Sequence, residues 1–328
     1  MPRQILIGIG AGLAAALFFI IPMKGAMAAG LTMLFAPLPL MIAGLAFSPL
    51  SAIGGAAAGA ILVAFVVHEY YAIFFLAWAG LPAWWLTRLA WLARPADEGE
   101  QASPDGLVWY PAARLVLWAG ILGASVSGGL VLVATIWLGG FEAFVAQVSG
   151  SMVQLLEAAM KSPSGPRLPQ GMTPGDIGNY VALAMPPVLA AWAALAYALN
   201  LWIAGRIMHV SGNMKRPWQD IPDALRLPPV ALAILAGALI VCAAGGLSRM
   251  LGTIVLAAFG TAFALQGYAL IHAFSRGNNL RAGMLSMLYT ATFLLFPAPA
   301  ALAALFGLAY ALANTSFTDS RPTNPTST

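Results

Sequence analysis

Charge is what this sequence has least of. Lys, Arg, Asp and Glu make up 8% of its 328 residues, against 61% hydrophobic, whereas a soluble domain carries about a quarter charged residues. That shortage excludes an ordinary soluble domain. Cysteine is nearly absent as well. Cys242 stands alone, so no intrachain disulfide and no Cys-rich metal motif can form, and it reads as a small buried hydrophobe. Of the three histidines, only His68 is followed by Glu, and no second histidine completes a zinc-protease helix. All eleven acids lie outside the apolar runs. An ion-coupled pump commonly uses an intramembrane carboxylate, and an aspartyl protease of the membrane needs two. No nucleotide motif is present. The expectation is a protein that is not an enzyme, with no catalytic residue, no cofactor and no metal. The ten-residue alternation of an outer-membrane barrel is missing too.

What is present is apolar length. Stretches of roughly 17–25 residues without charge mark transmembrane helices. The predicted fold is all-α: a polytopic transmembrane helical bundle of about nine or ten spans, with an outer amphipathic interfacial helix. A single domain covers 1–314, and residues 315–328, rich in Ser, Thr and Pro, read as a disordered tail. Helix one runs over Ile5–Ile21. Ala26-Met27-Ala28 resembles a signal cleavage site, but the run is longer than a signal core and the chain stays apolar beyond it, so an uncleaved helix is expected. Gly8, Ala11, Gly12 and Ala15 give that helix a small-residue face that lets a neighbour approach closely.

Helices at 25–47 and 49–67 follow, the first interrupted by Pro37-Leu38-Pro39, whose freed carbonyls must be buried in protein or line a cavity. A helix at 72–92 carries Trp78, Trp84, Trp85 and Trp91 ahead of Arg94, read as an interfacial anchor. A polar loop (95–110) leads to a helix at 111–139. In 141–160, Phe141, Phe144, Val145, Val148, Met152, Leu155 and Ala159 recur at helical spacing with polar residues elsewhere, which is the amphipathic pattern. A Pro/Gly-rich loop completes the 140–176 insert. Spans at 178–208, 228–246 and 250–275 come next, with a basic loop at 209–227 between the first two. The stretch 282–314, split at Pro297 and Pro299, crosses either once or twice. If it crosses twice, eleven basic residues fall on the inside against four outside. By the positive-inside rule both termini are then cytoplasmic, in a bacterial inner membrane.

Few polar groups interrupt the spans. Gln266, Tyr268 and His272 share one helix, with Tyr268 and His272 four residues apart on one face together with Thr261 and Ser275, and Gln266 roughly 200° away. Polarity on two faces implies a helix surrounded by protein. Interhelical hydrogen bonding is the favoured reading over ligand binding. Tyr197 and Asn200 form another pair, with Asn200 a plausible partner for Gln266. Trp202 and Arg206 suit a cation–π contact or a snorkelling anchor. His68, Glu69, Tyr70 and Tyr71 either meet a cationic ligand or form an interfacial turn, the turn being preferred. The candidate ligand or interhelical contacts are therefore His68, Glu69, Tyr197, Asn200, Gln266, Tyr268 and His272.

The order of spans, the amphipathic insert before the Pro186-Pro187…Asn200 helix, and the Gln266-Gly267 helix together resemble the YybS-like family of bacterial membrane proteins of unknown function. That family is distantly similar to S-components of energy-coupling-factor transporters and to MreD-type envelope proteins. The resemblance implies binding or uptake of a small solute without an ATPase of its own. Ala11 and Ala15 would then match the alanine pair on which S-components dock a coupling protein. The alternative is a non-catalytic scaffold for envelope proteins. Expected partners are the lipid bilayer and a membrane protein, and no nucleic acid.

Overall fold

The computed structural model describes residues 2–24, 29–98, 103–162 and 165–318. Ala26-Met27-Ala28 lies outside these. So do residues 319–328 of the expected tail, while the last helix runs on to Thr318. Helices dominate, and five are long and apolar enough to cross a membrane by length and composition: Pro49–Val66, Glu69–Ala90, Ala112–Trp137, Pro174–Val210 and Gly246–Phe274. Four shorter apolar helices accompany them, Gln4–Ile20, Leu31–Ala46, Val230–Cys242 and Ala298–Asn314.

Helix α1 (Pro2–Ile20) lies along α4 (Pro49–Val66). A Cβ added at Gly8 would stand 2.7 Å from the Ser51 carbonyl oxygen, and one at Gly59 would stand 2.6 Å from that of Gly12. One at Gly12 would fall on the Gly55 carbonyl. These contacts advance together along both helices, so α1 and α4 run parallel. Ala15 and Ala16 are sealed in the same interface, and Ala11 is partly exposed.

Between them, α2 (Ala29–Leu34) and α3 (Pro37–Ala46) form one broken helix. Pro37 has no N–H to offer Met33, and the Leu38 N–H turns back to Phe35. The Leu34 carbonyl is thereby left to a side chain. α5 (Glu69–Phe75) continues through a π-helical turn, Leu76–Gly80, into α6 (Leu81–Ala90). The wider turn takes up the ring of Pro82, which would otherwise meet the Trp78 carbonyl four residues back. The interfacial role expected for Trp78 is corrected here, since this side chain is fully buried.

The loop 95–110 departs from the all-α expectation. Ala93–Pro95 (β1) pairs antiparallel with Leu107–Trp109 (β2) as a short ribbon. α7 (Ala112–Trp137) and α9 (Pro174–Val210) run antiparallel, with Ser127 donating to the Pro186 carbonyl at 2.6 Å and Gly123 set against Ala190 and Ala194. Together they divide two cores. One gathers Phe19, Leu40, Phe75, Trp78, Leu86 and Tyr197, and the other Phe144, Ile254, Phe259 and Phe263.

Helix α8 (Phe141–Met160) packs along the start of α9, where Gly178 admits Ser149. Its apolar face is turned from the expected one: Leu155 is 64% exposed and Ala159 exposed, while Val153 and Leu156 are partly buried. After Met152 the next position on a 3.6-residue repeat is Leu156. Thr173 and Asp176 cap α9 reciprocally, at 2.8 and 3.1 Å.

α10 (Ile221–Ala224) is a single turn, and α11 (Val230–Cys242) runs antiparallel to α12 (Gly246–Phe274). α13 (Arg281–Leu294) has no fully buried residue, and α14 (Ala298–Thr318) closes the chain against α12.

Candidate functional site

The polar residues inside the apolar helices do not converge on one site. They serve three separate junctions. At the first, the Asn200 amide donates to the orphan Leu34 carbonyl at 2.6 Å and to Ala196 at 2.7 Å, and Trp78 Nε1 donates to Met33 at 3.1 Å. Asn200 and Trp78 thus cap the break between α2 and α3. The Tyr197 ring packs 6.0 Å from Trp78. Among the described residues, the Tyr197 hydroxyl and Asn200 Oδ1 have no hydrogen-bond partner.

The second junction belongs to Gln266, which is 1% exposed. Its Oε1 accepts from the Leu227 backbone N–H at 2.6 Å, and its Nε2 donates to the Gly307 carbonyl at 2.8 Å. The expected Gln266–Asn200 pair is therefore corrected. Asn200 faces the core around Trp78 and Gln266 the one around Phe263, with different main-chain groups waiting at each. Leu227 precedes Pro228-Pro229 and lies outside any helix, so its N–H has no carbonyl four residues back to bond.

At the third, Tyr268 meets Thr292 Oγ1 at 2.9 Å, His272 Nε2 meets the Tyr289 hydroxyl at 2.7 Å, and the two tyrosine rings stack 6.1 Å apart. These contacts hold α13 to α12. Thr261 and Ser275, from the same face, bond only to their own helix, at Ala257 and His272.

The His68–Tyr71 cluster resolves into a helix cap. His68 Nδ1 accepts from the Tyr70 N–H at 3.5 Å, lies 3.3 Å from Glu69 Oε2, and its ring stacks on Tyr70 at 4.9 Å. All of them are exposed. Arg206 stacks over Trp218 at 5.6 Å, not over Trp202, which is 47% exposed.

The loop after α9 carries two differently treated arginine environments. Arg276 is pinned by Asp220 at 2.6 Å and Asp223 at 2.5 Å. Its hydrogen bond holds the Asp220 carboxyl below the usual range. Among the described residues Arg216 has only neutral oxygens, Tyr110 O at 2.7 Å and Gln219 Oε1 at 2.8 Å. Burial pushes its guanidinium down to about 10.

A sizeable concavity elsewhere contains none of the seven candidate polar residues. A crevice of about 550 Å³ lies between α9, α11, α12 and α14, lined by Ala191, Leu235, Gly260, Phe263, Phe296 and Leu308 among others. Its only side-chain hydroxyl, Thr261, is already committed to Ala257. A Cβ at Gly260 would meet nothing within 4 Å. Sequence reading missed this feature because small residues and gaps leave no polar signal. No metal-binding group of three or more His, Cys, Asp or Glu occurs among the described residues. Comparison with protein-family models, with curated proteins and with solved structures finds no match.

Proposed function

We propose that the protein is a non-catalytic binding component of a bacterial cytoplasmic membrane, taking a small apolar solute into the α9–α11–α12–α14 crevice. The observation that carries this is the crevice itself. Its roughly 550 Å³ falls within the usual range of small-molecule pockets, and its lining is apolar. The reading keeps the S-component-like character implied by the YybS-like pattern, with any motor borrowed from a partner. That likeness rests on the sequence pattern alone. Replacing Gly260 with Phe should fill the crevice without collision, because space is open at its Cβ. Native mass spectrometry of the purified wild type is expected to find a bound small molecule. G260F should lose it while keeping its melting temperature. No small molecule on the wild type, or equal retention by G260F, would defeat the proposal.

The second reading, a scaffold for envelope proteins, draws on α13, whose Met284, Met287, Phe293 and Leu294 are exposed. The small-residue face of α1 is not free to serve it, since Gly8 and Gly12 lie against α4 and Ala15 is buried inside the chain.

The topology belongs to the same proposal: about nine or ten spans, α8 at the outer surface and both termini inside. At 14 residues, α13 covers only about 21 Å, against about 30 Å of hydrocarbon. A reporter fused after Thr328 should be active in its cytoplasmic form and silent in its periplasmic form. The reverse would mean that 282–314 crosses once.

A further inference from the structure

At the Trp91 end of α6, four parts of the chain enclose a small cleft, lined by Leu45, Trp91, Trp109, Met214, Lys215 and Arg216. What distinguishes it is a surplus of donors. Trp109 Nε1 is buried with no acceptor among the described residues. Among the described residues Arg216 meets only the neutral oxygens of Tyr110 and Gln219. Lys215 has its ammonium 4.7 Å over the Trp91 ring. No carboxylate pairs with either cation among the described residues. A half-buried guanidinium without a counter-charge and an orphaned indole N–H are both costly, and one anionic oxygen between them would relieve both. Arg276, which meets the same loop at Asp220 and Asp223, shows the contrast: there two aspartates already occupy the same role.

The geometry points to a seat for a phosphoryl oxygen of an anionic phospholipid headgroup. The space is about 20 Å³, room for roughly one water-sized group. A free phosphate would have to bury several oxygens. A diester entering from the headgroup layer needs to insert only one. Trp91 and Trp109 are the residue type that settles at that layer, and basic pockets between helices on the cytoplasmic side bind such headgroups. The inference rests on the membrane reading of the apolar helices and on the proposed cytoplasmic placing of the 209–227 loop, and it is independent of the crevice and its guest.

The test uses the full chain, purified in detergent and stripped of lipid, then offered short-chain phosphatidylglycerol, short-chain phosphatidylcholine or inorganic phosphate. Native mass spectrometry counts retained lipid, and thermal unfolding reads protection. Phosphatidylglycerol should be retained about tenfold over phosphatidylcholine, and Arg216→Gln should remove most of that preference, as loss of a charge-assisted bond predicts. Trp109→Phe should lower it about threefold. Arg167→Gln, an exposed basic residue of the α8–α9 loop, should leave it unchanged. Should Arg216→Gln fail to fold, Trp109→Phe and Lys215→Gln decide. A lost preference supports the seat, and an intact one overturns it. Equal retention of the two lipids, or protection by inorganic phosphate without any lipid preference, also overturns it.

Discussion

Gly12→Leu is expected to abolish recovery of a folded monomer, while Gly10→Leu, two residues away on the same helix, leaves expression and melting temperature near wild type. A Cβ at Gly12 falls on the Gly55 carbonyl, and a Cβ at Gly10 meets nothing within 4 Å. Backbone cannot yield as a side-chain end can. The helices must separate instead, and Ala15, Ala16 and Phe19, all fully buried, lose their packing together. Overpacked cores typically lose about 1–3 kcal/mol and occasionally more, and a collision with main chain belongs beyond the upper end. In lipid, close packing carries much of helix association, because apolar surface gains little from meeting another helix. Fluorescence-detected size exclusion of both variants is the measurement. A monodisperse G12L with an unchanged melting temperature would show that α1 and α4 do not touch as described.

Gln266→Leu should lower stability by about 2–3 kcal/mol. The size is close to conserved, so the loss is polar. The Gly307 carbonyl is a helical acceptor and loses only its second bond. The Leu227 N–H is buried by Gln266 and has no other acceptor among the described residues, and an orphaned buried donor costs about 1–3 kcal/mol. Interhelical hydrogen bonds in membranes average nearer 0.6 kcal/mol, because alternatives are usually at hand. The proline pair after Leu227 restricts those alternatives. Thermal unfolding should fall by several degrees. Tyr268→Phe, losing one bond to Thr292, should change it little. A Q266L protein as stable as wild type would remove Gln266 from its bridging role.

Much of the helical layout was legible from residues alone, because prolines and charge mark ends directly. Pro37, Pro49 and Pro174 each open a helix. The partners were not legible. Asn200 and Gln266 announce themselves as polar residues in apolar runs, but both bond to main-chain groups, which every residue carries and no sequence distinguishes. Pairing the two side chains was the simplest guess and failed for that reason. The face of α8 slipped at Leu155 because two leucines stand side by side and only packing on α9 chooses between them. The ribbon at Ala93–Pro95 is too short for any alternation to register. Lys215 and Arg216 were visible as loop charges, but the missing carboxylates around them appear only once the chain is folded.

At 37 residues, α9 measures about 55 Å, well beyond the roughly 30 Å of hydrocarbon. Its first turns carry α8. A 34.1 kDa chain wrapped in a detergent belt normally gives electron microscopy nothing to align. The pairing of α8 with the first turns of α9, at Ser149 and Gly178, offers an antibody fragment an epitope apart from the residues that line the crevice.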